Sequence, residues 1–106
     1  MARKVLGQSA PSATTATTLY TVPSGKSAVG STLSVCNRGS TAITYRVAVR
    51  PAGATLANQH YLVYDATLSS KGTDFFTIGI TLEATDVVTV YSSTTDASFT
   101  LFGDES

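Results

Sequence analysis

Side chains able to do covalent or metal chemistry are scarce in this chain. His60 is its only histidine and Cys36 its only cysteine among 106 residues. A structural zinc site needs a full set of nitrogen or sulfur ligands in paired spacing, which these two residues cannot supply. A Cys36–His60 nucleophilic pair would need a group to orient the histidine and a recognisable local signature; neither is present. Cys36 lies in an alternating apolar run and is expected as a small buried hydrophobe. His60 is expected at the surface, at the start of a strand. No glycine-rich loop opens a helix, so no phosphate cradle is expected.

The carboxylates are Asp65, Asp74, Glu83, Asp86, Asp96, Asp104 and Glu105. Paired carboxylates can cleave glycosidic bonds, and a ring of oxygens can hold calcium. Here most of the acids fall in or beside turn sequences, where Asp caps backbone N–H groups, and the spaced Asp loop of a calcium site is missing. The chain is therefore not expected to be an enzyme. No catalytic residue, metal or cofactor is assigned.

The aromatic residues are Tyr20, Tyr45, Tyr61, Tyr64, Tyr91, Phe75, Phe76, Phe99 and Phe102, with no tryptophan. Most alternate within strand-like runs and are expected in the core. Strict alternation puts Tyr61 and Tyr64 on opposite faces of one strand, so at least one of them is a candidate sugar-stacking ring. Arg46 and Arg50 share a strand face with Thr44 and Ala48. That is a basic edge without the interleaved aromatics of single-strand nucleic-acid binding, so no specific nucleic-acid partner is expected.

Net charge is zero, but it is divided along the chain. Arg3, Lys4, Lys26, Arg38, Arg46 and Arg50 precede every acid, and only Lys71 opposes the seven acids that follow. Either the two halves fold together and their charges intermix, or the basic face of one copy meets the acidic face of the next. On the second reading Arg3, Lys4, Arg46, Arg50, Asp104 and Glu105 are the candidate interface residues.

These side chains have to be positioned by strands. Charged residues are 13% of the chain, against about 25% in an ordinary domain; 18 Thr and 13 Ser take their place. Val29-Ser31-Leu33-Val35 and Ile43-Tyr45-Val47-Val49 alternate with more polar partners, the period of strands with one buried face. Further runs cover Leu19 to Val22, His60 to Leu68, Asp74 to Leu82, Val87 to Ser92 and Ser98 to Phe102, with a short strand possible at Lys4 to Gln8. Turn sequences separate them: Pro23–Lys26, Asn37–Ser40 (read as a hairpin), Pro51–Gly53, Ser69–Gly72, Ala84–Asp86 and Thr94–Asp96. Ala54 to Gln59 has room for one helical turn. This predicts an all-β domain, an antiparallel sandwich or jelly roll of about seven to eight strands over 19–106. Residues 1–18 are expected as a flexible N-terminal arm or linker, with 9–18 small and of low complexity. Neither a secretory signal nor a membrane-spanning run is recognised, so the chain is expected to start in a cytoplasm and to have no membrane partner.

Leu19-Tyr20-Thr21-Val22-Pro23-Ser24-Gly25-Lys26, Val35-Cys36-Asn37-Arg38-Gly39, Arg46 to Leu62 and Ala84 to Ser92 resemble segments of small virion structural proteins of tailed bacteriophages, cyanophages in particular. The resemblance spans roughly residues 19–102 and carries no catalytic residues. It implies a capsid decoration (cement) protein that packs as a homo-oligomer on other virion proteins, such as the major capsid protein. The implied location is the virion, after synthesis in the host cytoplasm. A tail or baseplate component and a host-glycan-binding β-module are the alternatives.

Overall fold

Valine, threonine and tyrosine fill the runs that become strands, because branched and aromatic side chains pack well on a pleated surface. The computed structural model describes residues 2–106. Nine strands form there: β1 (Ala2–Ser9), β2 (Thr17–Thr21), β3 (Ala28–Asn37), β4 (Ile43–Arg50), β5 (Tyr61–Leu68), β6 (Thr73–Phe76), β7 (Ile80–Leu82), β8 (Val87–Ser92) and β9 (Ala97–Glu105). They make two antiparallel sheets. One has the order β1-β9-β3-β6 with β7 also on β3; the other has the order β2-β8-β4-β5.

β6 and β7 pair with successive stretches of β3, from Cys36↔Thr73 to Leu33↔Phe76 and then from Gly30↔Ile80 to Ala28↔Leu82. They are one strand broken at residues 77–79, where Gly79 takes a positive φ of 60°. Taken as one, they leave two four-stranded sheets with the strand order of a jelly roll, in which every connection but β4 to β5 crosses from one sheet to the other.

The inner faces meet in one core. Leu33, Val35, Phe99 and Leu101 come from the five-stranded sheet, and Tyr45, Val47, Val88 and Val90 from the four-stranded sheet; all are essentially buried. Full burial of a Val, Leu or Phe side chain stabilises by about 1.5–3 kcal/mol. The Tyr45 ring meets Phe76 and Phe99 edge-on, at centroid distances of 6.5 and 6.2 Å.

Two tyrosines tie one sheet to the other. Tyr45 in β4 donates to Asp74 Oδ2 in β6 at 2.6 Å, and Tyr20 in β2 donates to Glu105 Oε1 in β9 at 3.0 Å. Burial, then the hydrogen bond to a carboxylate, pushes the Tyr20 hydroxyl up to about 12 and raises that of Tyr45 as well. The salt link from Lys4 and the bond from Tyr20 hold the Glu105 carboxyl below its usual range.

The structure corrects several expectations. The arm expected over 1–18 is, from Ala2 to Ser9, an edge strand in register with β9, from Ala2↔Glu105 to Ser9↔Phe99. Its Gly7 packs so closely on β2 that a Cβ would meet the Leu19 carbonyl oxygen at 2.0 Å. Asn37–Ser40 is not a hairpin, since β3 and β4 belong to different sheets. The fully buried Asn37 side chain builds a corner there: its amide donates to the carbonyls of Thr41, Leu68 and Ser69, and its oxygen accepts from the Gly39 N–H. A bulge between Gly30 and Thr32 shifts the alternation of β3, so Val29 faces outward while Leu33 and Val35 face in. His60 is buried, not superficial: a 3-10 turn (Asn58–His60) places its Nδ1 to accept the Ala57 N–H at 3.0 Å. Cys36 is half-buried, on the outer face of its sheet.

Candidate interaction surfaces

Each sheet also has an outer face. On the five-stranded sheet, register sets the side chains in rows: Arg3, Asp104, Val29 and Thr81; then Val5, Phe102 and Thr32; then Gln8, Thr100, Ser34 and Phe75; then Ser98, Cys36 and Thr73. Small hydroxyl side chains are the commonest type on this face. Four large apolar residues stand out from it: Phe75 is 69% exposed, Val5 46%, Val29 41% and Phe102 40%. Val5 and Phe102 are directly paired across β1 and β9. Together with Arg3, Ser31 and Asp104 they line an open groove of about 670 Å³.

The outer face of the four-stranded sheet is built differently. β5 carries two extra residues opposite β4, because Ala48 pairs with Tyr61, Val47 with Val63 and Tyr45 with Ala66. The first extra residue brings Tyr61 and Tyr64 to the same face. The second sets Tyr64 and Asp65 together opposite Arg46, with Asp65 in the left-handed region at φ 52°. Tyr91 arrives from the other side, paired with Arg46 across β4 and β8.

The result is a cluster centred on Arg46. Its Nε and Nη2 donate to the two Asp65 carboxylate oxygens at 2.6 and 3.2 Å. The guanidinium carbon lies 4.3 Å from the Tyr64 ring centroid and 4.2 Å from that of Tyr91, the geometry of cation–π attraction. Tyr61 stands edge-on to Tyr64 at 4.9 Å and 81°. The hydrogen bond from Arg46 lowers the Asp65 carboxyl below its usual range, and the same bond raises Arg46. Two hollows flank Tyr61. One, of about 210 Å³, lies over Ala48 between Leu56, Thr89 and Tyr91; the other, of about 250 Å³, is bounded by Asn58, Tyr61 and Tyr64.

The candidate interface residues separate into internal pairs. Lys4 Nζ reaches Glu105 Oε2 at 3.0 Å. Arg3 Nε stands 3.7 Å from Asp104 Oδ1, an ionic contact too long for a hydrogen bond. Arg46 is held by Asp65. Arg50 donates to Thr89 Oγ1 and to the carbonyls of Gly53 and Ala54. Among the described residues, the basic first half and the acidic second half thus meet within one chain at three points. β4 is an inner strand rather than a basic edge, and its aromatic companions come from its neighbours. Alternation alone could not show Tyr64 and Tyr91 against one arginine with Tyr61 beside Tyr64, since the bulges of β5 and the pairing of β4 with β8 assemble them. Cys36 lies on β3 of the five-stranded sheet and His60 in the turn that precedes β5 of the other sheet.

Comparison of the chain with protein-family models, with curated proteins and with solved structures finds no match.

Proposed function

We propose that the chain is a structural protein of a bacteriophage particle, a capsid decoration protein that seats the outer face of its five-stranded sheet on the major capsid protein in repeated copies. The observation that carries this reading is the exposed set Val5, Val29, Phe75 and Phe102 on a sheet face whose other side chains are chiefly Thr and Ser, with one ion pair, Arg3–Asp104. Large apolar side chains gathered on one exposed face mark contact sites for other proteins. Hydroxyl side chains around them cost far less to desolvate than charges would. The phage setting comes from the sequence resemblance, and the jelly-roll strand order is compatible with it. Each contact is small, and repetition over a shell supplies avidity.

The internal pairing of Arg3, Lys4 and Arg46 changes how copies are expected to hold on. Their partners are already in the chain, so docking is expected to be apolar and to tolerate salt that screens surface charges. Electron microscopy of purified particles tests the proposal, with density for this chain expected on the capsid and its five-stranded sheet toward the shell. Phe75→Asp and Phe102→Asp are expected to release it from particles with little change in melting temperature. Absence of the chain from the particle, density confined to the tail, or retention of both folded variants would overturn it.

A further inference from the structure

The geometry points to a second binding site, on the opposite side of the molecule and independent of the docking face: a subsite for one ring of a neutral saccharide, in the corner formed by Tyr61, Tyr64 and Asn58. Tyr61 and Tyr64 meet at 81° with centroids 4.9 Å apart, giving a floor and a wall of aromatic surface. Tyr64 is 60% exposed and Asn58 is exposed at the rim. The hollow they bound, about 250 Å³, is just below the range of about 300–1,000 Å³ for pockets that enclose a drug-sized ligand. It suits a single ring. A pyranose has a C–H face that stacks on an aromatic ring and a rim of hydroxyls that pair with an amide and with phenolic O–H groups.

Charge narrows the ligand class. Arg46, the one cation in the cluster, is occupied: Asp65 takes two of its N–H groups and the Tyr64 and Tyr91 rings lie against its guanidinium. Asp65 cancels the Arg46 charge, so the cluster has no net positive charge to offset the burial of a carboxylate or a sulfate, and a neutral sugar fits better than an anionic one. The corner is also set in advance. The buried His60 fixes the turn that carries Asn58, through Ala57 N–H to Nδ1 at 3.0 Å and His60 N–H to the Ala57 carbonyl at 3.1 Å. Arg46 fixes Tyr64. A corner that does not reorganise loses less entropy when a ligand binds. The two extra residues of β5, one of them at positive φ, are what place both rings there, and such local strain gathers at binding sites.

The test is a titration of isotope-labelled protein, followed by amide chemical shifts, with neutral trisaccharides of glucose, galactose, mannose or N-acetylglucosamine at millimolar concentration. At least one sugar is expected to move the amides of Asn58, Tyr61, Leu62 and Tyr64. Tyr64→Ala, exposed enough to leave the fold intact, is expected to weaken binding roughly tenfold, equivalent to about 1.4 kcal/mol. Tyr64→Phe is expected to retain most of the affinity. Phe75→Asp, on the docking face, is expected to bind sugar normally, which separates this site from the capsid proposal. The inference is overturned if no neutral sugar shifts these amides or if folded Tyr64→Ala binds as well as the parent. It is equally overturned if only sialylated sugars bind, or if a proline-rich peptide alone occupies the corner.

Discussion

On the outside of the five-stranded sheet, β1, β9 and β3 run in register apart from two single shifts, and their side chains stand as separate rows of Thr, Ser, Val and Phe. On the outside of the four-stranded sheet, β5 slips twice against β4, and two tyrosines close on one arginine while a third packs against the first of them. Both faces use ordinary strand residues. Regular register spreads side chains over an area, which suits contact with a broad partner. Extra residues gather side chains at a point, which suits contact with a small one. The chain's five tyrosines divide the same way: Tyr20 and Tyr45 bridge the sheets, and Tyr61, Tyr64 and Tyr91 sit on one outer face.

The comparison breaks most completely if the layer beneath both faces is removed. Tyr45→Ala deletes a fully buried ring together with its bond to Asp74. It is expected to destabilise by about 3–5 kcal/mol, the range for truncating a large buried aromatic. Urea denaturation would show this, and both faces should be lost in a single transition. A smaller and one-sided loss is expected from Arg46→Ala. It leaves Asp65 and two rings without their partner, at about 1–2 kcal/mol for a partly covered cation–π contact, while retention on particles stays normal. Arg46→Lys is not expected to restore the cluster, because an ammonium cannot make the forked contact with Asp65.

The smallest effect is expected from alkali. The Tyr20 and Tyr45 hydroxyls titrate higher folded than unfolded. Their contribution is therefore complete below the ordinary tyrosine value of 10.0 and is lost as pH rises through the folded values, about 12 for Tyr20 and higher for Tyr45. Melting temperature followed over that range should fall, and the Tyr20→Phe variant should show a shallower fall. Because the two bonds join the sheets, both faces should weaken together; selective loss of one would show that the faces are separately supported.

Much of this fold is written in local pattern. The runs at 19–22, 43–50, 60–68, 87–92 and 98–102 each contain or overlap a strand, because alternation and turn residues are short-range signals. The run at 74–82 was legible as one strand, and its break at Gly79 was not. What escapes local pattern is decided by distant partners. β1 shows only as a short run at Lys4 to Gln8 within an arm until β9 supplies its register, and Asn37 reads as a turn residue until the carbonyls of Leu68 and Ser69 come within reach. The candidate sites follow the same rule. Tyr61 and Tyr64 were visible as residues of interest, but one extra residue in β5 reverses their relation. Arg46 was visible as basic, and the partner that neutralises it lies 19 positions further along the chain.

The edges of the sandwich have a consequence for molecules held at high local concentration. An exposed, regular edge strand is a template on which another chain can add, and addition can propagate into fibres. Here one side is shut by Gly7 of β1 lying against Leu19 of β2. On the other side β5 is bulged twice and the β6–β7 strand is broken at 77–79. Neighbouring copies therefore find no continuous backbone ladder on one another, and crowding them together should not seed amyloid-like growth.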